Sequence, residues 1–207
     1  MNQLFQKIQS LKNSNVSIKV NKRIKEFKQI NKNSSDELFK EMCFCILTAN
    51  FSAKRGMHIH KKLSKFFLTD SKETLAIKLK NIGYRFPNTR AGYITESTKC
   101  KDTIQSIISS IEGDERREWL VKNIKGLGFK EASHFLRNIG FDDYAIIDSH
   151  ILDLLERYKF IKQPKTLTKK KYMEIEKILK TIATQTNLTL AELDLYLWYM
   201  ETGKIFK

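Results

Sequence analysis

Apolar side chains recur along this chain every three or four positions and never settle into strict alternation, so the pattern predicts helices from end to end. Leu4, Phe5, Ile8 and Leu11 mark one amphipathic face, and Val20, Ile24 and Phe27 mark a second; both read as surface helices. Ser34-Ser35-Asp36-Glu37 has the form of a capping box opening a helix over Leu38 to Thr48, and that helix is apolar around its whole circumference, which places it centrally. Further helices are predicted over Lys54 to Ser64, over Ser71 to Ile82 with a stop at Gly83, over Thr89 to Thr98 and over Thr103 to Ile111. Asp114 is the expected cap of a helix bearing Trp119, Leu120 and Val121, and Asp148 of one reaching Tyr158. Thr168 opens a helix with Tyr172, Ile175, Leu179 and Ile182 inward, and Thr189 with Glu192 forms a second capping box before a last helix that Gly203 ends. Leu190, Leu193 and Leu197 are its core face, while Asp194, Trp198 and Glu201 share another. The fold class read from this pattern is all-α, without internal repeats or a linker long enough to hinge independent domains.

Composition narrows the partners. With 207 residues and 41% hydrophobic ones the chain can bury a core, and a net charge of +15 favours a polyanion, nucleic acid first and an anionic membrane surface second. The longest apolar stretch, Cys43 to Leu47 with Ala49 after it, is far short of the roughly 20 residues that cross a bilayer. The N-terminus lacks a secretion signal's apolar core, so no membrane association and a cytoplasmic location are expected. Cys43, Cys45 and Cys100 make neither a disulfide framework nor a metal pattern; the first two read as buried small residues, and no metal ligand set is expected. His58 and His60 read as solvated.

Chemistry concentrates in residues 124 to 136, IKGLGFKEASHFL. Gly126 and Gly128 bracket Leu127 in a turn that lets backbone approach another molecule, and the amides opening the next helix sit at its positive dipole end, where a phosphate binds. Lys130 lies in the first turn of that helix, where the dipole disfavours a cation and so favours an uncharged amine. Taken alone, Lys130 reads equally as a solvated phosphate contact. Eighteen residues on, Asp148 follows the apolar run Ala145 to Ile147 and precedes Ser149 and His150, where a cap suffices to explain it. Together, an amine and a half-buried carboxylate are also the pair that displaces a base from a sugar and holds the product as a Schiff base.

Gly126-Leu127-Gly128-Phe129-Lys130-Glu131-Ala132 followed by Ile147-Asp148-Ser149-His150 resembles the helix-hairpin-helix and Gly/Pro-Asp motif of the endonuclease III superfamily of DNA glycosylases. Over nearly the whole chain the closer likeness is to the compact archaeal-type 8-oxoguanine DNA glycosylase/AP lyases. This resemblance implies two helical lobes, residues 1–35 plus 148–207 and residues 36–147, with a helix-hairpin-helix at about 115–140 and a cleft across which Lys130 and Asp148 face each other. It implies excision of 8-oxoguanine from damaged double-stranded DNA by a monomer, with lysine attack on the sugar and then β-elimination. Asn50 is the implied wedge that replaces the flipped nucleotide, with Phe51 beside it. Tyr84-Arg85-Phe86-Pro87 reads as an exposed aromatic turn, equally compatible with plain packing, and the resemblance makes Phe86 a wall of the base pocket. Asp194 would accept a hydrogen bond from the guanine edge, Trp198 would stack on the base, and the terminal Lys207 would reach it. A monovalent cation, K+ or Na+, on the carbonyls of Ile124 and Leu127 is a further implied feature. An iron-sulfur cluster is not expected, since no cysteine follows Cys100. Two other readings stay open: a glycosylase of the same superfamily acting on oxidised pyrimidines, and a non-catalytic helix-hairpin-helix DNA-binding module.

Overall fold

The computed structural model describes residues 3–30, 34–49 and 51–206. Among these residues there is no strand, and the elements are α1 (Gln3–Lys12), α2 (Asn15–Ile30), α3 (Ser35–Thr48), α4 (Ala53–Leu63), α5 (Lys72–Asn81), α6 (Pro87–Ser97), α7 (Ile104–Ser110), α8 (Gly113–Asn123), α9 (Phe129–Asn138), α10 (Ser149–Arg157), α11 (Lys169–Gln185) and α12 (Leu190–Thr202). Two short 3-10 turns, Ser64–Leu68 and Thr98–Cys100, extend α4 and α6. No helix among the described residues is long and apolar enough to cross a membrane.

The chain forms two compact units, Met1–Gln29 with Leu136–Lys207, and Ile30–Phe135. The second division falls inside α9, not at residue 147 as the resemblance implies. Residues 136–147 belong with the terminal helices because their backbone is tied there. The Ala145 amide donates to Glu176 Oε1 at 2.9 Å, and the Tyr172 hydroxyl donates to the Ala145 carbonyl at 2.7 Å. The Ile147 amide donates to the Tyr172 oxygen at 3.3 Å, and the Ala191 amide to the Asp142 carbonyl at 3.3 Å. A loop that satisfies its buried amides and carbonyls on α11 and α12 folds with them.

In the Ile30–Phe135 unit α3 is the core, with Leu38, Phe39, Met42, Cys43, Phe44, Cys45, Ile46 and Leu47 all shut off from solvent. Burial of these side chains is the main favourable term, about 1.5–3 kcal/mol for each large one. Burial also pushes the Cys43 thiol well above its ordinary pKa, so it is inert packing. The capping box expected at Ser34 does not form. Ser34 holds the N-cap position without a side-chain bond, and Glu37 turns to Lys40, 2.6 Å away. Asp114 likewise is not a cap. Glu112 takes that place, and Asp114 pairs with Arg117 inside the first turns of α8. His60 is not solvated: its ring packs against Phe44 and Phe67, with Nε2 3.2 Å from the Lys40 carbonyl.

In the other unit Asp148 and Thr168 cap α10 and α11, and Thr189 with Glu192 forms a complete capping box. Leu190, Leu193 and Leu197 of α12 are buried as expected, and so are Leu195 and Tyr196, which meet Val16, Val20 and Phe27 of α2. Ile205, beyond α12, packs against that same cluster.

Candidate active site

The turn between α8 and α9 is pinned from below by its apolar residues. Ile124 and Leu127 are buried, and the Leu127 amide donates to the Ile124 carbonyl at 3.3 Å. Gly126 stands at φ +90°, and a Cβ there would lie 2.6 Å from the Tyr93 ring. Both facts demand glycine. Gly126→Ala should therefore cost about 1–3 kcal/mol of backbone strain and displace either the turn or Tyr93, weakening DNA binding about tenfold or more in a titration. Gly128→Ala should be milder, since its Cβ would meet only the end of the Glu131 side chain at 3.1 Å.

Lys130 is the second residue of α9, half-buried, with Nζ 3.0 Å from Glu131 Oε1. The other oxygen of Glu131 accepts the Gly128 amide at 3.2 Å, as in half of a capping box. The sequence pattern offered only the helix dipole as the electrostatic setting of this amine, whereas Glu131 engages both the amine and the Gly128 amide at the start of α9. Beneath them Arg117 is fully buried. It reaches Asp114 at 2.7 Å and Ser133 Oγ at 3.2 Å, and its guanidinium lies 5.4 Å from the Phe129 ring centre. That arginine locks α8 to α9. An arginine within Asp-Glu-Arg-Arg-Glu reads as solvent-facing, so no sequence signal singled it out.

Asp148 is half-buried, and Oδ1 accepts the Ile151 amide at 3.0 Å. Asp194 of α12, the residue the resemblance makes an acceptor for a guanine edge, is already engaged within the protein. It is buried and paired with Arg137 Nη1, while Arg137 Nε and Nη2 donate to Asn138 Oδ1 at 3.1 and 2.7 Å. Burial pushes the Asp194 carboxyl up to about 6; Arg137 pulls it down, and the charge of Asp148 pushes it up. Arg137 and Asn138 were also missed, because the end of an amphipathic helix is an ordinary place for polar residues.

Trp198 is half-buried and meets the His150 ring edge-on at 5.1 Å between centres. Glu201, on the same face by spacing, forms a fork with Arg157 at 2.8 and 2.9 Å instead of joining Asp194. Phe86 sits just before α6, 38% exposed, with the Arg85 guanidinium 4.9 Å from its ring centre. Its neighbour Tyr84 is not exposed: the ring is buried, and its hydroxyl donates to the Leu47 carbonyl at 2.8 Å. Phe51 packs on Tyr84 at 4.6 Å and lies under Arg55 at 4.9 Å. Asn50 and Lys207 lie outside the described residues.

Residues 20–188 match the family model described as 8-oxoguanine DNA glycosylase. The chain belongs to the 8-oxoguanine DNA glycosylase family. Among curated members of this family, the 8-oxoguanine DNA glycosylase/AP lyase of Methanocaldococcus jannaschii is 52% identical, with 99% of each chain covered. That of Thermotoga maritima is 42% identical over 91% of each. Among solved structures of the family, the M. jannaschii glycosylase/lyase in complex with a 15mer DNA containing 8-oxoguanine superposes with a TM-score of 0.96, again at 52% identity and 99% coverage of both chains. The T. maritima 8-oxoguanine DNA glycosylase gives 0.93 at 38% identity, also over 99% of both.

Proposed function

We propose that this protein excises 8-oxoguanine from damaged double-stranded DNA and then cuts the strand at the resulting abasic site. The observation that carries the reading is Lys130, held at the mouth of α9 directly after the Gly126-Leu127-Gly128 turn. The turn and the α9 amides take a backbone phosphate, and the same approach delivers the sugar to the amine. A phosphate there displaces Glu131 from the Gly128 amide, and the movement frees Lys130 from its ion pair.

The Lys130 nitrogen, having lost a proton, attacks the anomeric carbon as the glycosidic bond breaks and the purine leaves with the bonding electrons and a proton. Asp148 stabilises the positive charge that develops on the sugar, takes up the proton lost by the amine and passes it to the departing purine. The adduct collapses to an imine, which acidifies the neighbouring C2′ hydrogen. Loss of that proton expels the 3′ phosphate and leaves the strand cut. Before any of this the base must leave the stack, at a cost of a few kcal/mol, and the segment after α3 that carries Asn50 and Phe51 fills the gap. Phe86 and Trp198 stack on the flipped base, and Lys207 contacts it.

The Ile124 carbonyl accepts one amide and keeps a second lone pair, which suits a hard monovalent cation shared with Leu127, and no step of the reaction runs through it. The protein is expected to work as a monomer in the cytoplasm, without an iron-sulfur cluster. A panel of duplexes tests the assignment. Cleavage of the 8-oxoguanine strand at least tenfold faster than of strands carrying oxidised pyrimidines is expected. Preference for the pyrimidines would reassign the substrate, and binding without any cleavage would leave only a DNA-binding module.

A further inference from the structure

Within the Ile30–Phe135 unit, one arginine connects two parts of the site that the reaction uses separately. The carbonyl of Ala49, at the C-terminal end of α3, lacks an onward helical partner and accepts a hydrogen bond from Arg90 Nη2 at 3.3 Å. A cation there also complements the negative end of the α3 dipole. On one side, the Arg90 guanidinium lies 5.5 Å from the ring centre of Tyr93, three residues further along α6, and that ring fills the space beside Gly126. On the other side Arg90 faces the Tyr84 hydroxyl, which burial pushes above its usual pKa and Arg90 pulls back. Tyr84 in turn holds the Leu47 carbonyl and the Phe51 ring. Arg90 thus touches both the end of α3 and the ring beside the Gly126 turn through one planar, multiply donating side chain, a role a lysine's point charge cannot copy.

The geometry points to Arg90 as a positioning residue that fixes the end of α3 relative to the phosphate-binding turn, so that opening the base stack and gripping the strand occur together. This rests on the function proposed above, in which the segment after α3 enters the duplex. It predicts that Arg90 matters only while the lesion must still be unstacked.

The test compares wild type, Arg90→Gln and Arg90→Lys on two substrates, 8-oxoguanine paired in a duplex and 8-oxoguanine in an unpaired bulge, with 2-aminopurine in the facing strand to report unstacking. For Arg90→Gln, single-turnover excision from the paired duplex should fall about tenfold to a hundredfold, the scale of a 1 Å misplacement, and the fluorescence rise should be lost. Affinity and excision from the bulge should stay within about twofold to threefold of wild type, a margin under 1 kcal/mol. Arg90→Lys should show a smaller loss confined to the paired duplex. Equal wild-type and Arg90→Gln rates on paired lesions would overturn the proposal, and so would an equal loss on both substrates, which is what plain destabilisation gives. Wild type that excises neither lesion would instead overturn the function itself.

Discussion

Lys130→Gln protein should give no covalent complex under borohydride and no strand cleavage, while its affinity for 8-oxoguanine duplex stays within about threefold of wild type. The asymmetry follows from what the side chain does. In the proposed reaction it makes the bond that links protein to sugar, so its loss should cost the whole covalent route, on the order of 10³-fold or more in rate. As a binding group it would supply one charge beside a turn proposed to grip phosphate with backbone amides, and Lys130 is already engaged with Glu131 at 3.0 Å. Losing one such contact costs about 1 kcal/mol or less, against a net charge of +15 that supplies most of the attraction. A Lys130→Gln protein that still traps would move the nucleophile to another residue.

Arg137→Met should destabilise the protein by about 3–5 kcal/mol at neutral pH, because it strands the buried Asp194 carboxylate without its cation. The pH dependence distinguishes this cause from lost packing. Asp194 already has its pKa raised from 3.8 to about 6 in the fold, with Arg137 pulling it down, so removal of Arg137 lets it rise further. Between those two values the folded state holds a proton that the unfolded chain has released, so the stability contributed by this group falls as pH rises through the window and recovers as pH drops. In the variant the window widens upward, so in urea unfolding the penalty should shrink from pH 8 towards about pH 6, where wild-type Asp194 also takes up its proton, and level off by pH 5. A penalty equal at both ends would mean that shape, not charge, is what Arg137 supplies.

Much of this architecture is legible in the sequence because it depends on local rules. The 3.6-residue period of α11, the box at Thr189 and Glu192, and the turn around Gly126 each need only a few neighbouring residues to be recognised. The features that escaped reading depend on contacts between distant segments. Arg117 sits in a charged stretch typical of a wet helix face and Arg137 at the polar end of an amphipathic helix, yet each is buried with a partner on another helix, Ser133 for the first and Asp194 for the second. Tyr84 looked exposed in an aromatic turn and is instead bonded to Leu47, thirty-seven positions earlier. Ser34 has a cap's identity but not its bond, since Lys40 takes the Glu37 that would complete the box. For the site, the helix starts that carry Lys130 and Asp148 were readable in the sequence, and the structure places both residues there. Glu131 was printed in the same motif, but its grip on both Lys130 and the Gly128 amide is visible only in three dimensions.

The central claim is that the Lys130 nitrogen bonds to the sugar of the damaged nucleotide. The most direct measurement is peptide mapping by mass spectrometry of wild-type protein reduced with borohydride during reaction on an 8-oxoguanine duplex. The deoxyribose-derived mass should sit on the peptide containing Lys130 and break at that residue on fragmentation. The same mass on any other lysine or on the N-terminal amine, with the Lys130 peptide unmodified, would contradict the account.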